Sequence, residues 1–456
     1  MKLVKEIFRE YDIRGVYDTD MNDETAYYIG RAYGTKLHEY NKDKTVLAYD
    51  NRLSSPSLAK SMIKGLVDSG IEVLNLGLAT TPMCYFAANY LKTDASMMIT
   101  ASHNPKEYNG FKFSYNGIHN AYGDSVREIY DIIQSGKFYD GVGSVKDVDI
   151  TDAYIHLILD KLELGERKIK VVYDPGNGTT CIVADKIFEK MNIEAIPICN
   201  ISDGNFPCHH PDPCVYANLA MLRDKVLEVH ADFGIGYDGD GDRVGFVDEL
   251  GNMIETDKFM IIMWRYLYDK VTNKKGLFDV KCTKALEDEL IKLGIEPYEY
   301  RTGGGSYLKA ESARGNYPFG GELSGHVYFR DKFPGYDDGI YAGMRLIELL
   351  SHTDKKVSEL LVGINKYYST EEIKVKVDDN KKFMVVDKII EYAKDKGYNT
   401  VTIDGCKAKF DDGFALVRVS NTGPNITMRF EATTEKRLEE LQVEFTNKLN
   451  EYINAL

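Results

Sequence analysis

Lys44-Thr45-Val46-Leu47-Ala48-Tyr49-Asp50 is a mainly apolar run with the length of a buried strand, and it indicates the fold class of this 456-residue chain. Ser54-Ser55-Pro56-Ser57 follows and predicts the start of a helix, because proline is well tolerated in the first helical turn. A second apolar run at 71–76 predicts the next strand. Strands and helices that alternate at this spacing are typical of α/β domains.

The same alternation recurs twice further along the chain. A strand predicted at 169–173 and a helix at 180–190 begin a second unit. A third unit is predicted to begin at Met253 with an apolar helix, followed by a strand at 276–280. The three units share no sequence identity that would prove an internal repeat.

The pattern of the sequence changes after residue 356. Residues 373–377 alternate between apolar and polar, which predicts a half-exposed strand, and helices are predicted at 383–394 and 435–453. These elements are typical of a small α+β domain. We therefore predict three similar α/β domains with mixed sheets at 1–147, 148–252 and 253–365, and a smaller α+β domain at 366–456.

Composition limits the partners of the chain. Its 57 basic and 71 acidic residues give a net charge of −14, which argues against a nucleic-acid backbone or an anionic membrane as a partner. No apolar run approaches the roughly 18 residues of a membrane-spanning helix, and the charged N-terminus is unlike a signal peptide. Seven scattered cysteines indicate reduced thiols. We expect a cytoplasmic protein.

Met97-Met98-Ile99-Thr100-Ala101-Ser102-His103-Asn104-Pro105 joins an apolar run to a short polar segment. Pro105 keeps Asn104 out of helical geometry. The pattern predicts a strand that leads into a loop with an exposed hydroxyl on Ser102. Ser-His-Asn-Pro is also ordinary turn chemistry, so this stretch alone leaves a simple turn open.

Asp238, Asp240 and Asp242 alternate with glycines in a second polar stretch. Three carboxylates this close repel one another unless a divalent cation neutralises them, and oxygen ligands favour a hard cation such as Mg²⁺. The spacing imitates a calcium-binding loop, but Arg243 stands where that loop needs glycine. Residues 234–239 match the dinucleotide-binding fingerprint, but no helix pattern follows them.

Two further loops carry ligand-binding chemistry. Glu322, Ser324 and His326 lie on a glycine-bordered loop, where they can bind sugar hydroxyls and move a proton. Residues 418–425 combine a guanidinium, hydroxyls, an amide and backbone N–H groups, which suits a phosphate. Lys281 adds a basic residue at a strand end, where α/β proteins bind ligands.

Cys208-His209-His210 and Cys214 suggest a zinc site at first sight. The intervening prolines and the absence of a paired Cys-x-x-Cys motif weaken that interpretation. We interpret this segment as a proline-stiffened loop.

Four stretches follow the order of the motifs of one known family, at 100–105, 238–243, 321–326 and 418–422. Through them the chain resembles the α-D-phosphohexomutase family, and within it the bacterial phosphomannomutase/phosphoglucomutase branch. The resemblance implies four domains around a central cleft that is lined by one loop from each. It also implies an isomerase that interconverts hexose 1-phosphate and hexose 6-phosphate, with mannose and/or glucose as the sugar, through a phosphoserine and a bisphosphorylated sugar.

The resemblance assigns expected roles to individual residues. Mg²⁺ would be bound by Ser102, Asp238, Asp240 and Asp242. The catalytic residues would be Ser102, His103, Arg14, Lys112, Arg243 and His326. The substrate would be bound by Tyr11, Lys281, Glu322, Ser324, Arg418, Ser420, Asn421 and Thr422, with Lys281 and Arg243 beside the phosphoserine. Hexose 1,6-bisphosphate is the implied activator, hexose phosphates are the implied partners, and we expect a monomer.

The sequence departs from the branch at Gly305, where relatives carry a histidine. One group for proton transfer is then missing, and more of that role would fall to His326 and Lys112. A phosphoglucosamine mutase, a Mg²⁺-dependent phosphatase and a non-catalytic sugar-phosphate sensor are the alternatives. The presence of Ser102 and all three aspartates argues against the sensor.

Overall fold

The computed structural model describes residues 3–117, 119–191, 193–420 and 423–455. Within these ranges the chain forms four separate β-sheets, each covered by helices. The prediction of three α/β domains followed by a smaller α+β domain is confirmed.

The first domain contains a seven-stranded mixed sheet. Its strands are β1 (Ile13–Val16), β2 (Lys44–Tyr49), β3 (Glu72–Leu78), β4 (Ser96–Ile99), β5 (Tyr108–Asn116), β6 (His119–Asn120) and β7 (Ser144–Asp147). Its helices are α1 (Asp23–Glu39), α2 (Ser55–Asp68), α3 (Thr81–Tyr90) and α4 (Asp124–Ser135). The strand order is β1-β5-β4-β2-β3-β7, and β2 is parallel to both β3 and β4. The loops after these parallel strands therefore lie at one edge of the sheet, as ligand-binding loops do in α/β proteins.

The second domain contains a five-stranded sheet in the order β12-β11-β10-β8-β9. The strands are β8 (Lys170–Asp174), β9 (Glu194–Pro197), β10 (Phe233–Tyr237), β11 (Val244–Asp248) and β12 (Met253–Ile254). The helices are α5 (Thr151–Asp160), α6 (Ala184–Phe188) and α7 (Ala220–Val229). The hairpin of β10 and β11, in which Tyr237 is paired with Val244, carries the three aspartates at its tip.

The third domain contains a four-stranded sheet in the order β14-β13-β15-β16. The strands are β13 (Lys275–Asp279), β14 (Glu296–Tyr300), β15 (Phe319–Gly321) and β16 (Val327–Phe329). The helices are α8 (Thr256–Leu267), α9 (Lys284–Lys292), α10 (Ser306–Gly315) and α11 (Gly339–Ser351). Antiparallel β15 and β16 present the loop with Glu322, Ser324 and His326.

The fourth domain contains a six-stranded antiparallel sheet packed against two helices. The strands are β17 (Tyr368–Ser369), β18 (Ile373–Lys376), β19 (Asn399–Val401), β20 (Cys406–Phe410), β21 (Gly413–Val419) and β22 (Asn425–Ala432). The helices are α12 (Asp379–Asp395) and α13 (Glu435–Asn454). The turn between β21 and β22 holds the predicted phosphate loop.

Two local predictions in the middle of the chain were wrong. The helix predicted to begin at Met253 begins at Thr256, because Met253 and Ile254 pair with β11 instead. The second sheet therefore extends two residues past the predicted domain end at 252, although the domain boundaries themselves stay predictions. The helix predicted at 180–190 is a 3₁₀ turn at Thr179–Ile182 followed by the short α6.

One apolar core joins the first three domains. It includes buried Phe86 of α3, Tyr154 of α5, Trp264 of α8 and Tyr341 of α11. The loops of these three domains are therefore carried by one continuous packed interior. The fourth domain has its own core. It meets the third domain through charged pairs such as Lys407 with Glu299 and through a small apolar cluster of Val280, Phe414 and Leu416. In the described part of the chain, no helix combines the length and the apolar character needed to cross a membrane.

Candidate functional site

Ser102 lies shortly after β4, in the loop where the sequence predicted it. Its backbone is left-handed, with φ of 52°, and its N–H donates to Thr100 Oγ1 at 2.8 Å. The hydroxyl is buried, not exposed as predicted, because the loop of aspartates covers it. Ser102 Oγ donates a hydrogen bond of 2.7 Å to Asp238 Oδ2. His103 Nδ1 lies 3.3 Å from Ser102 Oγ.

Arg52, which the sequence analysis did not single out, holds the serine loop in place. Its fully buried guanidinium pairs with Asp50 Oδ2 at 3.0 Å. It also donates to four loop carbonyls at 2.6 to 3.1 Å, those of Ser102, Asn104, Pro105 and Tyr108. This fork of hydrogen bonds ties the loop that carries Ser102 to the end of strand β2.

The three aspartates form a buried all-oxygen cluster. One carboxylate oxygen from each of Asp238, Asp240 and Asp242 lies within 4.8 Å of the others. Burial, and then the charges of Asp240 and Asp242, raise the pKa of Asp238. One oxygen of Asp240 and one of Asp242 are buried without a hydrogen bond from the described residues. These oxygens suit a hard divalent cation, so the cluster can hold a metal.

Lys112 of β5 reaches into this cluster from the first domain. Its Nζ donates to Asp240 Oδ2 at 2.9 Å and to Asp242 Oδ2 at 2.6 Å. Burial alone would lower the pKa of Lys112, but the two aspartates raise it above its ordinary value. The side chain is therefore a cation, able to donate a proton or neutralise charge but not to accept a proton in this arrangement.

His326 lies between the second and third domains with a partner on each side of its ring. Arg243 Nε donates to His326 Nε2 at 3.2 Å, and His326 Nδ1 lies 2.9 Å from Asp337 Oδ2. Lys309 Nζ donates to the other oxygen of Asp337 at 3.0 Å. Burial would raise the pKa of Asp337, but Lys309 and His326 hold it below the usual range. These contacts assign the proton of a neutral ring to Nδ1 and leave Nε2 as the acceptor.

Glu322 organises the loop between β15 and β16. Its Oε1 accepts hydrogen bonds of 2.9 Å from the Gly305 N–H and from the Tyr328 hydroxyl. Ser324 Oγ lies 3.4 Å from Glu322 Oε2. The ring of Tyr11, from the first domain, packs directly on the backbone of Gly304. A Cβ at position 304 would lie only 2.6 Å from that ring.

Arg418 is fixed between the third and fourth domains. Its Nε donates to Asp404 Oδ2 at 3.0 Å, and its NH2 donates to Thr302 Oγ1. Lys281 Nζ lies 3.3 Å from Glu372 Oε1, so its described ion pair is with the fourth domain and not with the serine loop, beside which it was expected.

The phosphate loop of the fourth domain is described only in part. The Ser420 carbonyl accepts from Lys382 Nζ at 2.9 Å, and the Ser420 N–H donates to the Asn425 carbonyl at 2.9 Å. Asn421 and Thr422 were also predicted to bind substrate, and they lie outside the described residues.

Contacts within the first domain and charges from the second surround the serine loop. Arg14 NH1 donates to Asn104 Oδ1 at 2.9 Å, beside the serine loop. Burial, followed by the positive charges of Arg243 and Arg14, lowers the pKa of His103 well below its ordinary value. His103 is therefore a neutral ring in a cationic surrounding. The site therefore combines a hydroxyl, a carboxylate cluster and several cations in one buried region. These are the groups that enzymes of phosphoryl transfer use.

Comparisons with known proteins agree with this chemistry. Models of the phosphoglucomutase/phosphomannomutase alpha/beta/alpha domains I, II and III match residues 5–140, 152–251 and 255–367, and the model of the C-terminal domain matches 372–448. The chain belongs to the phosphoglucomutase/phosphomannomutase family. The resemblance found in the sequence is thereby confirmed.

Individual members of the phosphoglucomutase/phosphomannomutase family match over nearly the whole chain. A phosphomannomutase/phosphoglucomutase from Pseudomonas syringae pv. tomato is 39% identical over 97% of this chain and 95% of its own length. A phosphoglucomutase from Neisseria gonorrhoeae is 38% identical over 97% and 96%. The crystal structure of a family protein from Burkholderia thailandensis has a TM-score of 0.92 at 36% identity and covers 99% of this chain and 98% of that one.

Gly305, the departure from the phosphoglucomutase/phosphomannomutase pattern, has a structural cause in this chain. It precedes α10 with φ of 86°, a conformation that side chains other than glycine rarely adopt. A Cβ at this position would lie 2.5 Å from Asp337 Oδ2 and 3.4 Å from the His326 ring. The pair of Asp337 and His326 therefore occupies the space into which a side chain at position 305 would project.

The sequence analysis missed four residues that contact the predicted site residues. Thr81 Oγ1 donates to Asp240 Oδ2 at 2.6 Å. The other three are Arg52, which binds the serine loop, Asp337, which contacts His326, and Asp404, which pairs with Arg418. Asp50 ends a predicted strand, which was a usable signal for the Arg52 pair. Thr81, Asp337 and Asp404 stand in unremarkable sequence, and only their tertiary partners reveal them.

Proposed function

We propose that this member of the phosphoglucomutase/phosphomannomutase family interconverts hexose 1-phosphate and hexose 6-phosphate, with mannose and/or glucose as the sugar. The observation that carries the proposal is the hydrogen bond of 2.7 Å between Ser102 Oγ and Asp238 Oδ2, inside a buried cluster of carboxylates and cations. The relatives named as phosphomannomutase/phosphoglucomutase support the choice of sugars. A cytoplasmic location and a monomeric state stay predictions.

Phosphorylated Ser102 donates its phosphoryl group to the free hydroxyl of a bound hexose phosphate. The bond between phosphorus and Ser102 Oγ breaks, and a bond between phosphorus and the sugar oxygen forms. In net, one proton passes from the sugar hydroxyl to Ser102 Oγ, because one side chain accepts the hydroxyl proton and another donates a proton to Ser102 Oγ. The bisphosphorylated sugar then turns over and returns its other phosphate to Ser102 by the reverse step. Hexose 1,6-bisphosphate activates the enzyme by phosphorylating Ser102.

Charged side chains around Ser102 stabilise the transferring group. Asp238, Asp240, Asp242 and the phosphorylated Ser102 would hold Mg²⁺, which would neutralise part of the charge of the transferring group. Arg14 and Arg243 add positive charge at the phosphoryl group, and Lys112, which is protonated, serves as a proton donor. His326 Nε2 accepts the hydroxyl proton once Arg243 turns from it toward the phosphate.

The remaining residues hold the part of the substrate that does not react. Glu322 and Ser324 bind sugar hydroxyls, with Tyr11 and Lys281 at the sides of the cleft. The non-reacting phosphate is bound by Arg418, Ser420, Asn421 and Thr422. His103 stays neutral beside Ser102 and orients its oxygen.

Phosphorus NMR tests the proposal directly. The protein is incubated with Mg²⁺, a trace of glucose 1,6-bisphosphate, and either mannose 1-phosphate or glucose 1-phosphate. We expect the 6-phosphate to grow as the 1-phosphate disappears, and Ser102→Ala to abolish this while exposed Ser135→Ala leaves it unchanged. Free phosphate instead of isomer would show a phosphatase, and turnover of glucosamine 1-phosphate alone would overturn the choice of sugar.

A further inference from the structure

A second cluster of metal-ligating side chains lies in the second domain, outside the proposed active site. Asp174, Cys199 and His209 each place one ligand atom within 4.8 Å of the other two. Asp174 ends β8, Cys199 follows β9, and His209 lies in the long loop before α7. This set shares only His209 with the cysteine and histidine set that the sequence suggested, because the fold brings Asp174 and Cys199 to it from the ends of two neighbouring strands.

The contacts of His209 define which of its nitrogens is available. His209 Nδ1 lies 3.0 Å from the carbonyl oxygen of His210, and His209 Nε2 lies 2.8 Å from Asp174 Oδ2. A ring nitrogen that faces a carbonyl carries the proton, so in a neutral ring the lone pair of Nε2 faces a carboxylate. Two acceptors at this distance need a cation or a second proton between them. Metal-bound histidines commonly have their other nitrogen tied to a carbonyl in this way.

Asp174 is oriented as well as buried. Its Oδ1 accepts from the Gly176 N–H at 2.8 Å, which leaves Oδ2 directed toward His209. Cys199 adds a sulfur, which lies within 4.8 Å of the ligand atoms of Asp174 and His209. Burial, followed by the hydrogen bond with Cys208 and the charge of Asp174, raises the pKa of Cys199. A bound cation reverses this effect, because metal ligation stabilises the thiolate.

The backbone holds the three ligand segments together without help from a metal. The Asn177 N–H donates to the Cys199 carbonyl at 2.9 Å, and the Cys208 N–H donates to Asn177 Oδ1 at 3.1 Å. Asn177 thus fastens the segments of Cys199 and Cys208 to the turn after Asp174. The positions of the ligands are therefore set by the fold, which is the condition for a preorganised site.

We propose that Asp174, Cys199 and His209 bind one Zn²⁺. A set of sulfur, nitrogen and oxygen ligands suits Zn²⁺, whose remaining tetrahedral position a water can fill, and does not suit Mg²⁺, which takes oxygen ligands. The ion fastens the loop that continues into Pro211. Pro211 in turn packs beside Gly239, at 3.6 Å from the position of a Cβ there. The zinc site thereby stiffens the support of the loop of aspartates.

Metal content and cobalt spectroscopy test the site on the full chain. The protein, purified under reducing conditions, is loaded with Zn²⁺ in the presence of excess Mg²⁺, desalted and analysed by mass spectrometry for metal. We expect about one Zn²⁺ per chain, and a loss of about ten-fold or more in affinity for Cys199→Ser and Asp174→Asn. Loading with Co²⁺ should give a thiolate-to-cobalt charge-transfer band, which the sulfur-free aspartate cluster cannot produce.

Cys181→Ser is the matched control, because Cys181 lies beside the cluster, with Sγ 3.8 Å from the Cys199 carbonyl, and is not among the proposed ligands. This variant should keep the metal and the cobalt band. The proposal is overturned if wild-type protein binds Co²⁺ without the charge-transfer band, or if Cys199→Ser retains Zn²⁺. A disulfide between Cys199 and Cys208 in the reduced preparation would also overturn it. The cobalt spectrum of the wild type decides the question even if a variant fails to fold.

Discussion

Ser102 and Asp238 are 136 positions apart in the chain, and a hydrogen bond of 2.7 Å joins Ser102 Oγ to Asp238 Oδ2. The serine comes from the first sheet and the aspartate from the hairpin of the second. The reacting oxygen therefore depends on how two domains meet. Once Ser102 is phosphorylated, the same carboxylate faces an anion, and the pair is stable only with cations beside it.

Asp240→Asn should weaken the metal dependence of the reaction. The change removes one of three negative charges from the cluster while keeping the shape of the side chain. We expect the Mg²⁺ concentration for half-maximal activity to rise by about ten-fold or more, since ligand charge controls affinity. A Mg²⁺ titration of activity measures this, with the exposed Asp224→Asn as the control. Identical titrations of Asp240→Asn and wild type would contradict the proposed metal site.

Arg52→Met should destabilise the protein and displace the serine loop. It leaves Asp50 buried without its charged partner, which costs about 3–5 kcal/mol of unfolding free energy. Arg127→Met is the matched control, because Arg127 is 54% exposed in its pairs with Asp124 and Glu10. That surface change should cost less than about 1 kcal/mol. Urea unfolding measures both, and equal losses for the two variants would argue against the role of Arg52.

Gly305→Ala should reduce stability more than a glycine replacement at an open site. Its Cβ would collide with Asp337 Oδ2, in addition to the strain of a φ of 86°. Gly294→Ala is the matched control, because Gly294 has φ of 73° with no atom near the added Cβ. We expect the Gly305 variant to lose about 1–3 kcal/mol more than the control in thermal or urea unfolding.

The same variant should also lower kcat, because the displaced Asp337 orients His326. Equal stability losses at the two glycines, together with unchanged kcat, would show that position 305 has room for a side chain.

Asp404→Asn should weaken substrate binding more than catalysis. Asp404 fixes Arg418, whose proposed partner is the non-reacting phosphate. Loss of this ion pair lets the guanidinium move, so we expect KM to rise about ten-fold and kcat to change less. Steady-state kinetics with glucose 1-phosphate separates the two constants. Asp412→Asn, which breaks the surface pair with Arg437 in the same domain, should leave both constants near wild type.

Asp338 should make stability depend on pH. Burial raises the pKa of Asp338 to about 7, although it accepts hydrogen bonds from the Tyr341 N–H and the Tyr154 hydroxyl. The folded state therefore holds a proton that the unfolded state, with an ordinary pKa near 4, releases. This contribution is fully present below about pH 4, and the free energy of unfolding falls as the pH rises from about 4 to 7.

Asp338→Asn removes that titration and keeps an acceptor for the helix N-terminus. We compare the free energy of unfolding of the variant with that of wild type at each pH. The difference, variant minus wild type, should be larger at pH 8 than at pH 5, by an amount of the order of 1–4 kcal/mol. Urea unfolding at both values measures the difference, and the exposed Asp354→Asn serves as the control. A wild-type-to-variant difference that is the same at both pH values would refute the assignment.

Most of the secondary structure could be predicted from the sequence because its signals are local. Apolar periodicity and Pro56 in a first turn both act over a few residues. The failures are also informative. Met253 and Ile254 continue an apolar helical pattern, but hydrogen bonds to β11 make them a strand. A competing long-range partner is invisible in the local pattern.

The sequence by itself determined the parts of the site that lie within single loops. Asp238, Asp240 and Asp242 alternate with glycines, so their proximity follows from chain connectivity. Ser102 was identified by the strand that precedes it and by the turn residues that follow. The order of the four motifs was sufficient to indicate the family.

Only the tertiary structure decided how these loops act on one another. Arg52 binds the serine loop, Lys112 enters the carboxylate cluster, and Asp337 occupies the space beside Gly305. The cluster of Asp174, Cys199 and His209 arises in the same way. The physical reason is that hydrogen bonds and charges act over a few ångströms in space, and packing of distant segments decides which side chains come that close.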